Sequence, residues 1–282
     1  MKIIECPRDA MQGIHEHIPT DLKIRYINSL LQVGFDTIDF GSFVSPKAIP
    51  QMADTAKVLD GLNLDGCTKL LAIVANKRGS EQAASFQEIK YLGYPFSLSE
   101  TFQRRNTNRG IDVAWENLQD IQDTCEKKGK ELVVYFSMGF GNPYGDEWNV
   151  EIVEEWADKI SKTGIKIVSL ADTVGAANPN DITYLFKTLA QRHTDIEFGA
   201  HFHSRPEKWR EKIDAAYQSG CRRFDSTIKG IGGCPFAKDE LVGNIATENL
   251  LTYLSNEDVS TNVNTSAFGE SILISTKVFS YL

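Results

Sequence analysis

The chain is 282 residues long, with 30 lysines and arginines against 38 aspartates and glutamates, a formal charge of −8. That balance excludes a dedicated nucleic-acid binder, which carries a basic face, and 41% hydrophobic with 24% charged residues excludes wholesale disorder. No apolar run approaches the ~20 residues of a membrane-spanning helix, the opening Met-Lys-Ile-Ile-Glu-Cys-Pro-Arg-Asp is unlike a signal peptide, and five scattered cysteines lack CxxC spacing, so a globular protein of the reducing cytoplasm is expected.

In chain order, a first apolar run covers residues 2–6. Thr20-Asp21 caps an amphipathic stretch that ends at Gly34, and a second run follows at 35–40. Further runs begin near residues 69, 94, 131, 165, 196 and 222. Between them, 111–128 predicts a helix stopped by Gly129, Asn180-Asp181 opens another through 190, and 207–218 predicts a third before Gly220. Gly34, Gly129, Gly164 and Gly220 each precede a run, where a helix C-terminus calls for positive φ. A parallel strand needs a crossover of a dozen or more residues, usually helical, to rejoin its sheet, and the spacing supplies one each time. Eight such units in residues 1–255 predict a single (β/α)8 TIM barrel, whose usual size is ~250 residues. A doubly wound sheet is the rival, but Cys6-Pro7-Arg8-Asp9-Ala10 is not its Gly-rich phosphate turn. Residues 256–282 form a C-terminal extension in which 271–282 packs on the barrel as a final helix.

Barrel active sites lie at the C-terminal ends of the strands, and these ends are polar: Arg8-Asp9, Asp39, Asp172 and His201-Phe202-His203. Positions i and i+2 of a strand share a face. Both imidazoles therefore point one way, with Gly199 leaving room beside them and Phe198, Ala200 and Phe202 facing the helices. Two imidazoles plus a carboxylate suit a divalent cation; a hydrogen-bonded buried pair is the plainer alternative. Cys234 in Gly-Ile-Gly-Gly-Cys-Pro is an acid–base candidate on a loop, or structural filler. Asn244 reads as a helix cap. Arg104, Arg105 and Arg109 form a basic cluster, either solvated or contacting an anion.

The blocks Pro7-Arg8-Asp9-x-x-Gln12, Ser42-Phe43-Val44-Ser45-Pro46-Lys47, Ser169-Leu170-x-Asp172-Thr173 and His201-x-His203 occur in this order. They are followed by Asp225-Ser226-x-x-x-Gly230-x-Gly232-Gly233-Cys234-Pro235 and Gly243-Asn244. Across residues 2–254 the chain resembles the 3-hydroxy-3-methylglutaryl-CoA lyase family of metal-dependent barrels. The resemblance implies that Asp9, His201, His203 and Asn244 hold Mg²⁺ or Mn²⁺, and that His201 also serves catalysis. It implies that Arg8 stabilises a thioester enolate, that Cys234 is the loop acid–base group, and that Asp172 supports the site. Asn76, in Asn76-x-x-Gly79, matches an element near the substrate, and Arg104 and Arg105 stand where an acyl-CoA phosphate could be met. Asp39 replaces a family glutamate one methylene longer, and Ser204-Arg205-Pro206 replaces the family's Asp-Thr; both changes read either as an altered substrate or as neutral drift with Arg205 in solvent. The implied reaction is cleavage of a 3-hydroxyacyl-CoA to acetyl-CoA and acetoacetate, with a small-molecule acyl-CoA partner, no nucleic acid and no membrane. A homodimer is left open. The alternatives are a related aldol-type lyase or synthase on another hydroxy acid or acyl-CoA, and a non-catalytic barrel.

Overall fold

The computed structural model describes residues 1–64, 66–233 and 242–282. Among them run eight strands: β1 (Lys2–Glu5), β2 (Thr37–Ser42), β3 (Lys69–Ile73), β4 (Ile89–Ser97), β5 (Glu131–Ser137), β6 (Ile167–Asp172), β7 (Glu197–Phe202) and β8 (Arg223–Ser226). All neighbours pair in parallel, and β1 closes on β8 with Lys2 opposite Arg223 and Glu5 opposite Ser226. The closed barrel is the expected (β/α)8 architecture. The helices are α1 (Pro7–Gln12), α2 (Thr20–Leu31), α3 (Thr55–Asp60), α4 (Lys77–Ala84), α5 (Glu100–Thr107) and α6 (Ile111–Lys128). After β5 come α7 (Val150–Ile160), α8 (Pro179–Arg192), α9 (Trp209–Gln218), α10 (Thr247–Asn256) and α11 (Thr265–Val278). None of these is long and apolar enough to cross a membrane.

Strand β5 shows why the apolar runs are unbroken. Leu132, Val134 and Phe136 join the large core between barrel and helices, while Val133 and Tyr135 turn inward with Leu71, Ile73, Tyr91 and Ile167. A parallel strand buried on both faces has no polar side to expose. Cys6, Cys125 and Cys221 are buried free thiols.

Some boundaries differ from expectation, for local reasons. β4 starts at Ile89, five residues before the expected 94. Gly93 lies inside the strand, where a Cβ would stand 2.5 Å from Ile73 Cδ1, so the glycine leaves room for the Ile73 side chain in the barrel interior. α2 begins at Thr20 itself, whose hydroxyl donates to Asp54 Oδ2 at 2.7 Å instead of capping the helix. α8 is capped earlier, by Asn178 ahead of Pro179, and α9 starts at Trp209. The final helix lies at 265–278, opened by Asn264, which accepts from the Ser266 and Ala267 amides. This helix packs against α2, and beyond its end Phe279 lies edge-on to Tyr26 at 6.0 Å. Gly129 closes α6 in the left-handed region as expected, at φ +64°.

The expected room beside Gly199 is taken. A Cβ on Gly199 would lie 3.0 Å from Arg223 Cδ, and the fully buried Arg223 side chain reaches into the barrel interior, its guanidinium carbon 5.7 Å from the centre of the Tyr91 ring.

Candidate active site

Pro7, fixed at the φ a first helical residue needs, turns the chain from β1 into α1, so Arg8 and Asp9 sit over the barrel mouth. His201 ends the inward face of β7, and His203 follows one residue past the strand. Asn244 comes to the same place through an isolated antiparallel bridge to His203, with the Ser204 amide donating to Gly243 O at 2.9 Å. Its role is therefore not that of a helix cap: Ala246 precedes α10, and Asn244 Nδ2 donates to Asp9 Oδ2 at 2.7 Å. Asp9 Oδ1 accepts from Gln12 Nε2 at 2.8 Å and Arg8 Nη1 at 3.0 Å. One ligand atom each from Asp9, His201 and His203 lies within 4.8 Å of the others.

The chemistry of this set fits a divalent cation. His203 Nδ1 is buried with no hydrogen-bond partner among the described residues, an exception that calls for a partner. Burial, then the charge of His201, pushes His203 down to about 4, so it is the neutral imidazole a cation requires. Burial opposes ionisation of Asp9, but Arg8 and both histidines outweigh it and lower its pKa. Burial also pulls His201 down, but the hydrogen bond and charge of Asp225 more than reverse this and raise it. The Asp225 Oδ2 contact at 3.0 Å is to His201 Nδ1, which leaves Nε2 as the free ring nitrogen.

Arg8 is the hub of the site. Its Nε donates to both Asp39 oxygens, at 3.2 and 3.0 Å, and its Nη2 donates to Asp39 Oδ2. Asp39 is fully buried and absent from the cleft wall, whereas Arg8 lines the cleft. The shorter carboxylate thus stands behind Arg8 and aims the guanidinium. Burial lifts Asp39 to about 6 against the pull of Arg8. The cleft above is walled by Val44, Ala48, Ile49, Ile73, Pro95 and Phe102, with Gln12, Asn106, Ser137 and Thr173 as polar groups.

The remaining predicted residues are placed as follows. Asp172 is buried, and its Oδ2 accepts from Lys212 Nζ at 2.6 Å. Asn76 caps α4, accepting from the Gly79 amide at 3.0 Å, and lines a groove that shares Val44 with the cleft. Arg104 and Arg105 stand on the exposed side of α5; Arg104 pairs with Glu100 and Arg105 lies 4.4 Å from the centre of the Tyr144 ring. Arg205 and Pro206 are exposed beside a buried Ser204. Cys234 belongs to residues 234–241, outside the described residues. Asp225 and Lys212 were given no role in the sequence reading. Arg223 and Asp225, charged and alternating on a strand buried on both faces, were the signal for the first; Lys212 gave none.

A parallel eight-stranded barrel with a carboxylate and two imidazoles at its C-terminal face defines a class: (β/α)8 barrels whose mouth is built to hold a divalent cation. The HMGL-like family model matches residues 2–271, and the chain belongs to that family. It is 33% identical to a hydroxymethylglutaryl-CoA lyase of Bacillus subtilis (strain 168), over 91% of this chain and 85% of that one. With the hydroxymethylglutaryl-CoA lyase of Pseudomonas mevalonii the identity is 31%, over 96% and 89%. An HMG-CoA lyase of Acinetobacter baumannii, solved with coenzyme A and 3-methylmalate, superposes with a TM-score of 0.93 at 28% identity, covering 99% of this chain and 91% of that one.

Proposed function

We propose that the protein is a divalent-metal-dependent carbon–carbon lyase that cleaves 3-hydroxy-3-methylglutaryl-CoA to acetyl-CoA and acetoacetate. One observation carries the reading: Arg8, held by two carboxylates, faces the same cleft as the convergent Asp9, His201 and His203. The family relationship supports the substrate.

Asp9, His201, His203 and Asn244 would hold Mg²⁺ or Mn²⁺, which when bound lowers the pKa of a coordinated hydroxyl and polarises neighbouring oxygens. In the cleavage a base takes the proton of the tertiary hydroxyl, the oxygen closes to the ketone carbonyl of acetoacetate as the C2–C3 bond breaks, and that bond's electron pair passes to the thioester carbonyl as an enolate. Of the five guanidinium N–H groups of Arg8, Asp39 takes those on Nε and one on Nη2, and Asp9 takes one on Nη1. One N–H on each terminal nitrogen is left for the enolate oxygen, where preorganised donors contribute most. Burial opposes the Arg8 charge, but Asp39 and Asp9 more than restore it, so the guanidinium stays protonated. Asp225 fixes the tautomer of His201. Cys234 is assigned the proton delivered to the enolate carbon, on the strength of its Gly-rich sequence block. The apolar wall of Val44, Ile49 and Phe102 suits the acyl and pantetheine portion of an acyl-CoA.

The test is direct. Protein loaded with Mg²⁺ or Mn²⁺ is incubated with 3-hydroxy-3-methylglutaryl-CoA, and acetyl-CoA and acetoacetate are assayed; equimolar formation is expected. Turnover of another 3-hydroxyacyl-CoA with none of this one would overturn the substrate assignment, and no turnover on any hydroxyacyl thioester would overturn the lyase reading.

A further inference from the structure

Lys212 belongs to α9, outside the cleft, and is 1% exposed. Its ammonium has three N–H groups and no acceptor, and all three find oxygens: Asp172 Oδ2 at 2.6 Å, His203 O at 3.0 Å and Gly175 O at 3.1 Å. These acceptors come from different parts of the mouth. Asp172 ends β6, Gly175 lies in the turn that follows it, and His203 lies one residue past β7. Past the end of its strand, His203 is paired with Asn244 only through its neighbours, the Ser204 amide on Gly243 O and the Ile245 amide on Phe202 O, and its own amide and carbonyl take no part in that bridge. Its amide reaches Asp172 O only at 3.3 Å, and its carbonyl is held by Lys212. The Gly175 turn, at φ +72°, packs on Val242, with a would-be Cβ 3.0 Å from Val242 Cγ1. Val242 is two residues from Asn244, so the same ammonium also braces the turn against which the Asn244 segment lies.

We propose that Lys212 is a positioning residue for the cation site, fixing the direction in which His203 presents its ring by holding the His203 carbonyl and the Asp172 carboxylate with one ammonium. The proposal rests on the reading of Asp9, His201 and His203 as cation ligands. A compact ammonium reaching three divergent oxygens is not reproduced by a planar guanidinium fork, so the identity of the residue matters as well as its charge. Partners that orient metal ligands typically contribute 10- to 100-fold to metal affinity.

Mn²⁺ binding, followed by the loss of the free-ion electron paramagnetic resonance signal, separates this from a purely structural role. Lys212→Met is expected to weaken Mn²⁺ binding about 10- to 100-fold, and Lys212→Arg to recover only part of the loss. Removing Lys212 alone leaves Asp172 as a buried unpaired charge, so Lys212→Met is also combined with Asp172→Asn, which removes that charge and protects the fold. If the double variant regains wild-type Mn²⁺ affinity, Lys212 merely neutralises Asp172 and the proposal is overturned. If it stays weak while its urea midpoint is near wild type, positioning is confirmed. Should Lys212→Met not fold, the double variant and Lys212→Arg decide the matter, wild-type affinity in either counting against the proposal. A wild-type protein that binds no Mn²⁺ defeats the cation reading itself, whereas wild-type binding unchanged in Lys212→Met defeats only the role of Lys212.

Discussion

Glu5, at the end of β1, is a fully buried carboxyl with Glu248 as a nearby acidic neighbour. Its Oε1 accepts the Ile228 amide at 2.8 Å, its Oε2 lies 2.6 Å from the Thr247 hydroxyl, and that hydroxyl lies 2.9 Å from Ser226 Oγ. Burial lifts the carboxyl from 4.5 to about 8, against the lowering effect of the Thr247 hydroxyl and the Ile228 amide. The native state therefore holds this proton more tightly than the unfolded chain does. The linked stability is fully present below about pH 4.5 and is lost as pH rises through about 8. Where the two states differ by a full proton the slope is about 1.4 kcal/mol per pH unit, and it falls to half as Glu5 reaches its native midpoint. Integrated from pH 6 to pH 8, the loss is about 2 kcal/mol. Glu5→Gln reproduces the protonated arrangement, with an amide oxygen for Ile228 and an N–H for Thr247, and does not titrate. Urea unfolding of both proteins across this range isolates Glu5, because their other titrations cancel in the difference. The stability gap should move about 2 kcal/mol in favour of the glutamine variant. Two stability curves that stay parallel from pH 6 to pH 8 would refute the reasoning.

Other expectations concern turnover and metal. Arg8→Lys keeps the charge but loses the forked contact with Asp39, so kcat should fall on the order of 100- to 1,000-fold with Mn²⁺ stoichiometry unchanged; steady-state kinetics and metal analysis check both halves. Asp225→Asn replaces the charged acceptor that fixes His201 by a neutral amide and should weaken Mn²⁺ binding about 10- to 100-fold, measured by titration calorimetry. Cys234→Ser should lower turnover strongly at an unaltered urea midpoint; a near wild-type rate would withdraw its acid–base role. Asp39→Glu lengthens the support behind Arg8 by roughly one C–C bond, ~1.5 Å, and a displacement of ~1 Å can cost on the order of 100-fold. A kcat/KM equal to wild type on 3-hydroxy-3-methylglutaryl-CoA would show that Arg8 adjusts freely.

The barrel was legible because its strands are buried on both faces, which leaves unbroken apolar runs at regular spacing, and because glycines such as Gly129 mark the helix ends. His201 and His203 were legible through the two-residue period of a strand. What stayed hidden depends on contacts between distant elements. Asp225 meets His201 across 24 residues and Lys212 meets Asp172 across 40; the alternating charges of Arg223 and Asp225 hint at a buried role without naming a partner, and Lys212 carries no local signal at all. Asp39 was expected to end its strand, but β2 runs on to Ser42, and only geometry shows that Arg8 stands between this buried acid and the cleft. The early start of β4 was hidden for a related reason: Gly93 makes room for the Ile73 and Leu71 side chains of the neighbouring strand, and a glycine inside a strand looks like one that ends it.

The arginine buried in the barrel interior has a consequence for traffic. With the Arg223 side chain buried beside Tyr91, and Leu71, Val133 and Ile167 packed in the same interior, the barrel is a packed core and not a pore, so its mouth is a blind well with one rim. Reactant, products and solvent share that rim. An acyl-CoA seated there is its own stopper. While its long tail lies across the opening, water reaches the carbanion only past the occupant, and the smaller fragment must leave around the larger one or wait for it. The order of product departure would then be written into the shape of the well, and product-inhibition patterns would read it out.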